Sequence, residues 1–225
     1  MLFNILSSKK FQKKIKGKGN IICLPKINRY GKIKIIGNNN KIEMADNVKY
    51  DDLNITVYGN NNNNILIKEN CELYGADLSI GIKDTPTNNA CINLETGVNI
   101  CGKSSLFCAE DNSKISLGEN CLLSSGIDIW CTDTHSIHDN SGNILNIGKE
   151  VAIGKHVWIG KDVKIGKNTK IADNCVIGWS SVVTSSISNK HKANSVIAGS
   201  PAKVVKENIQ WSKERPNIKH IEIAK

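Results

Sequence analysis

Isoleucine returns every six residues in IGKEVAIGKHVWIGKDVKIGKNTKIADNCVIG, at Ile147, Ile153, Ile159, Ile165, Ile171 and Ile177, and Val183 continues the series. Glycine follows at 148, 154, 160, 166 and 178, with Ala172 in the remaining slot. Four residues after each isoleucine stand Val151, Val157, Val163, Thr169, Cys175 and Ser181. A helix would scatter a six-residue period around its surface, and each interior glycine would cost it about 1 kcal/mol. Six residues suit a short strand and a tight corner instead. Three such units close an eighteen-residue triangular coil, which stacks on the next coil at a spacing of roughly 4.8 Å. The spacing predicts an all-β chain, a parallel β-helix with these six isoleucines facing the prism interior. Ile147 is expected under Ile165 and Val183, Ile153 under Ile171, and Ile159 under Ile177.

The first half repeats the idea less regularly. GKIKIIGNNNKIEM, LNITVYGNNNNNILIKEN, ACINLETGVNICG and SKISLGENCLLSSGIDIW are short alternating strands broken by Gly and Asn. Asparagine tolerates the left-handed backbone that corners need, and stacked coils would let its amides form ladders. Residues 20–203 are read as one β-helix with irregular early coils, residues 1–19 as a basic N-terminal arm or cap, and residues 204–225 as a tail. Both ends of a coil stack need such covers.

Only 5% of the 225 residues are aromatic, and the apolar mass is Ile, Val and Leu, which pack well on pleated surfaces. A formal charge of +9 calls for an anionic partner. Arginine occurs only at Arg29 and Arg215, so the bidentate readout used on bases is missing, and nucleic acid is not expected as a partner. An acidic glycan, a phosphorylated co-substrate or weak contact with an acidic membrane surface fits better. Cys91, Cys101, Cys108, Cys121 and Cys175 lie in or beside apolar runs and read as small hydrophobes. Without a CxxC pair, a reduced, cytoplasmic protein with no metal is expected. The start, MLFNILSSKKFQKKIKGKGN, places lysines after its apolar residues, the reverse of a secretory signal.

CTDTHSIHDN, residues 131–140, interrupts the rhythm. Counting back from Ile147 in sixes reaches Ser141, His135, Ile129, Leu123 and Leu117, so His135 falls in the phase of a repeat position. Segment 131–146 reads either as a loop ejected at a corner or as a break that delivers a histidine to a cleft.

WCTDTHSIHD, then EVAIGKHVWIGKDVKIGKNTKIADNCVIGWSSVV, then NSVIAGSPAKVV, resembles the hexapeptide acetyltransferases, which include the maltose, galactoside and serine enzymes. NSVIAGSPAKVVKENIQWSKE is further similar to O-acetyltransferases that modify sialic acid in bacterial capsules. The resemblance covers roughly residues 115–205 well and the first hundred only in style. It implies a left-handed coil, a homotrimer with sites between subunits, and acetyl-CoA as co-substrate. It also implies transfer to a hydroxyl of a bacterial surface glycan, sialic acid foremost, with His135 as general base. A sugar hydroxyl barely ionises at neutral pH, and imidazole has the pKa to take its proton. Asp133 could hold the ring's tautomer or serve an Asx turn. His138 is the rival base and reads as surface. Trp158 is an outsized residue for its slot, and in the resembling enzymes borders the acceptor and thioester. The alternative for it is an outer-face residue packed on a neighbouring subunit. Trp130, Trp179 and Trp211 carry weaker signals. In the resembling enzymes CoA lies along the outside of the C-terminal coils. Here Gly178, Trp179 and Ser180, and one coil on Ala198, Gly199 and Ser200, offer small corners to a pantetheine arm, with Lys203 as a point charge for a phosphate. GSPAK also reads simply as the exit from the last coil.

Other readings differ in what they require. A zinc enzyme on the same coil needs three converging histidines, and His135, His138 and His156 are poorly spaced for that. His191 and His220 have no supporting context. An N-acetyltransferase of a nucleotide-linked amino sugar would usually carry a nucleotide-binding unit, and no G-x-G-x-x-G stands here. A non-catalytic β-helix would gain no stability from acetyl-CoA.

Overall fold

The structure, a computed structural model, describes residues 11–26 and 29–214. It is a left-handed β-helix whose three faces are parallel sheets of short strands. Sheet A stacks Ile33, Ile55, Leu78, Leu106, Ile129, Ile165 and Val183 in register. Sheet B stacks Met44, Ile67, Leu94, Leu117, Ile153 and Ile171. Sheet C stacks Tyr50, Leu73, Ile100, Leu123, Ile159, Ile177 and Ile197. All of these side chains are buried and form one continuous core. Strand alternation sends every second residue outward, so each face carries polar columns over an aliphatic interior.

Five of the six repeat isoleucines face the interior as expected, and Ile153 pairs Ile171 and Ile159 pairs Ile177. Ile147 does not. It is 51% exposed, and Ile129 occupies the place under Ile165. Ile129 and Ile153 sit on successive faces yet lie 24 residues apart, where successive isoleucines of the repeat lie six apart. The excess equals one whole coil in length, so the phase survives the insertion, and Ile147 belongs to the inserted loop.

The early coils are longer, 22 residues from Ile33 to Ile55 and 23 from there to Leu78, against 18 from Ile165 to Val183. The extra length goes into asparagine corners. Asn39, Asn61, Asn89 and Asn112 take φ between 54° and 61°, a region that asparagine enters at small cost. The expected ladder is present. Asn63 Nδ2 donates to Asn40 Oδ1 at 2.9 Å, and Asn40 Nδ2 donates to Asn20 Oδ1 at 3.0 Å. Asn40 and Asn63 are buried, so each amide satisfies a neighbour that water cannot reach.

The parallel stack begins at Gln12–Lys16, which pairs with Gly31–Ile36, inside the stretch read as an arm. At the other end Val196–Gly199 pairs antiparallel with Ala202–Lys206, so the last strand runs across residue 203 rather than stopping there. All eight cysteines are free thiols. Cys108, Cys121 and Cys175 are buried and Cys91 is half-buried, but Cys101 is exposed because it stands just past its strand at a corner.

Candidate active site

The inserted loop leaves sheet A after Ile127–Trp130 and rejoins sheet B at Glu150–Ile153, on the prism edge between them. Glu110, one coil below, fastens both stems. Thr132 Oγ1 donates to its Oε1 at 2.9 Å, and the Gly148 N–H donates to its Oε2. A Cβ on Gly148 would lie 2.1 Å from the Cys131 carbonyl oxygen, so only glycine lets the stems close. Farther out, Asp139 Oδ1 accepts the Ser141 and Asn143 N–H groups at 2.8 and 2.9 Å. This Asx turn makes the loop tip a small hairpin.

Asn146 ties the returning strand of the loop to the outgoing one. Its Nδ2 donates to Asp133 Oδ2 at 2.8 Å and to the His135 carbonyl at 2.9 Å, and its Oδ1 accepts the Ile137 N–H at 2.7 Å. Thr134 between them has φ +62°, a strained conformation for a β-branched residue, held by the Thr132 hydroxyl on its N–H at 2.9 Å. The loop is therefore pinned most tightly where it presents His135.

Asp133 does not orient His135 directly. Its Oδ2 takes an ion pair with Lys167 as well as the Asn146 amide. The Lys167 ammonium first, and the Asn146 amide second, hold its carboxyl below the ordinary carboxylate range. A full positive charge competes better for a carboxylate than a neutral ring does. Among the described residues the His135 ring has no hydrogen-bond partner. It lines a cavity of about 330 Å³ with Ile82, Thr85, Glu110, Thr132 and Ile144.

The other described histidines are engaged. His138 Nδ1 donates to the Gly142 carbonyl at 3.2 Å, and its Nε2 accepts from the Ser136 hydroxyl at 2.8 Å. His191 Nε2 accepts the Ala172 N–H at 2.9 Å, with Nδ1 on the Ile187 carbonyl. His156 is a corner residue, φ +51°, bonded to Asn174 and stacked on Trp211. His220 and Arg215 lie outside the described residues. No three or more His, Cys, Asp or Glu among the described residues group as a metal would need. No helix among them is long and apolar enough to cross a membrane.

The remaining sequence-selected residues gather elsewhere. Trp158 stands on the outer face of sheet C, between Leu122 and Val176, not at the His135 cavity. Gly178, Trp179 and Ser180 make the corner that follows sheet C, and Trp179 is 72% exposed. Ala198 lies beside Gly178, whose added Cβ would come within 2.8 Å of the Ala198 Cβ. Gly199 and Ser200 lead into the terminal hairpin, where exposed Lys203 pairs with Ala198. Small residues and a left-handed Ser180, φ +53°, keep backbone near the surface here, with one lysine beside it. Within one chain the histidine and this corner occupy different edges of the prism. Sequence reasoning missed Glu110 and Asn146, which act from coils or loop positions that no spacing singles out.

Residues 147–185 match the family described as bacterial transferase hexapeptide (six repeats). A polysialic acid O-acetyltransferase of Neisseria meningitidis is 36% identical over 120 residues, 53% of this chain and 52% of that protein. The chain thus spans about half the length of that curated relative. The solved structure of the polysialic acid O-acetyltransferase OatWY matches with a TM-score of 0.74 at 29% identity, covering 96% of this chain and 97% of that one. The polySia-specific acetyltransferase NeuO matches with a TM-score of 0.67 at 25% identity, covering 92% and 91%. Repeat, prism and these near-complete overlays agree: residues 147–185 carry the bacterial transferase hexapeptide repeat, and the chain is similar over nearly its whole length to two polysialic acid acetyltransferases.

Proposed function

We propose that this protein is an acetyl-CoA-dependent O-acetyltransferase of an anionic bacterial surface glycan, with sialic acid the leading acceptor. The observation that carries the reading is the His135 ring, unpartnered among the described residues, on a cavity, in a loop fastened at the Asp133 carboxylate and at the backbone of His135, Ile137 and Gly148. His135 removes the proton of the sugar hydroxyl as its oxygen attacks the thioester carbonyl. The tetrahedral intermediate then collapses, and the proton returns to the departing CoA sulfur. Asp133 serves through Asn146 by holding the loop, not by touching the ring. The small corner at Gly178–Ser180 and Ala198–Ser200 suits a pantetheine arm, and Lys203 supplies a point charge for a phosphate.

The separation of His135 from this corner and from Trp158 favours sites between subunits, the homotrimer the resemblance implies. Ile137, Ile144, Leu145 and Ile147 expose large aliphatic side chains on the loop, a surface suited to a neighbouring copy. The net charge of +9 favours an acidic acceptor and CoA alike. The deciding experiment incubates the protein with acetyl-CoA and either polysialic acid or a neutral glycan, following thiol release. Release on polysialic acid that weakens as salt rises supports the reading. Equal release on both glycans at every salt concentration removes the anionic acceptor, and no release on either removes the transferase.

A further inference from the structure

After the terminal hairpin the chain does not leave the prism. The Ile209 N–H donates to the Asn194 carbonyl at 3.0 Å, and residues 207–214 turn back over the outer face of sheet C. There Trp211 lies flat on His156, with ring centroids 4.0 Å apart and 8° between planes. Its indole N–H donates to the His156 carbonyl at 2.9 Å, and its ring stands 6.0 Å from Trp158 at 40°. Trp211 is thus locked at two points on one corner and set against the residue two positions further on.

Trp158 is held differently. Its backbone is fixed in the ladder between Leu122 and Val176, but its side chain lies outside the prism. Among the described residues its indole N–H has no hydrogen-bond partner. An outward indole has several rotamers open to it unless something stands beside it, and the ring beside it is Trp211. A free N–H at the end of a rigidly held ring can donate to a developing oxyanion. Such a donor gains most from being fixed before charge appears.

We propose that Trp211 is a positioning residue, which holds the Trp158 indole so that its N–H meets the oxygen of the thioester carbonyl during acetyl transfer. This rests on the acetyltransferase reading given above. The strap of residues 207–214 then belongs to the active site rather than to a tail. Trp211 acts on the transition state through Trp158 and makes no contact of its own with the acetyl group.

The test is a double-mutant cycle in the full chain, with acetyl-CoA and polysialic acid as substrates. Trp158→Phe, which keeps a ring and removes the donor, lowers kcat roughly 100-fold. Trp211→Ala lowers kcat roughly 10-fold or more with little change in KM for acetyl-CoA. Trp211→Phe, which restores a stacking ring, recovers part of the loss. In the double variant the two losses are not multiplied, because the second residue works through the first. Multiplied losses would overturn the proposal, as would a normal kcat in Trp211→Ala. So would a loss in Trp211→Ala beside an unaffected Trp158→Phe. Thermal midpoints of all variants check folding, and Trp211→Phe supplies the decision should the alanine variant unfold. His135→Ala, measured alongside, separates the two levels. Its normal turnover would overturn the acetyltransferase reading and this proposal with it, whereas its loss leaves the cycle to judge Trp211 alone.

Discussion

Asn146 Nδ2 donates to Asp133 Oδ2 and to the His135 carbonyl, at 2.8 and 2.9 Å, so one amide sets the distance between the loop's outgoing carboxylate and its histidine. Leucine at 146 has nearly the same size and no hydrogen bonds. Each lost bond removes about 1 kcal/mol. Asn146→Leu should therefore lower kcat by roughly 10–100-fold while acetyl-CoA still binds, as read by calorimetry. Unchanged kcat would show that the loop holds its shape without this residue.

The Asp133 carboxyl lies below its ordinary value because of Lys167 first and Asn146 second. A depressed carboxylate stabilises the folded state above its unfolded value, about 3.9, and loses that contribution as pH falls through the lower folded value. Wild type should melt above Asp133→Asn at neutral pH. The gap should hold down to about pH 4 and close below it. The side chain is 41% exposed, so solvent screening keeps the gap small. A gap that persists at the lowest pH would contradict the ion pair as its source.

Two isoleucines of one repeat should respond in opposite ways. Ile165 stacks between Ile129 and Val183 with 1% exposure, and Ile165→Asp buries an unpaired charge that should prevent folding. Ile147 is 51% exposed and lies on the inserted loop outside the prism, so Ile147→Asp should leave the coil stack folded, with a wild-type β-sheet spectrum. Circular dichroism of the two variants reads this directly, and a folded Ile165→Asp protein would refute the prism.

That pair also shows how far the sequence could be read. The period identified the coil and the stack of Ile153, Ile159, Ile165, Ile171 and Ile177, and the Gly and Asn corners of the first half pointed to the asparagine ladders. Each follows from strand alternation and corner sterics, whereas the hand of the coil came from the resemblance alone. The period failed at Ile147. An insertion one coil long leaves the six-residue phase intact, so counting could not distinguish a loop from another turn of the prism. The neighbours Thr132 to His138 singled out the candidate histidine. Its supports were not singled out, because Glu110 and Lys167 reach the loop from other coils through contacts that no local pattern encodes.

The buried amide of Asn63 makes a further test of the irregular half. It donates to Asn40 Oδ1 at 2.9 Å and the Thr87 carbonyl at 2.7 Å, and accepts the Ala90 N–H at 2.9 Å. Asn63→Ala strands these partners away from water and should cost about 1–3 kcal/mol in chemical denaturation. A neutral result would mean that water enters the corner.

The central claim is that His135 is the base. Steady-state turnover of His135→Ala with acetyl-CoA and polysialic acid, beside His138→Ala, tests it most directly. His138 has both ring nitrogens engaged inside the loop, so its variant should stay close to wild type. His135→Ala should lose roughly 10²–10⁴ in kcat while binding acetyl-CoA with wild-type affinity. Near-normal turnover of His135→Ala would contradict the account.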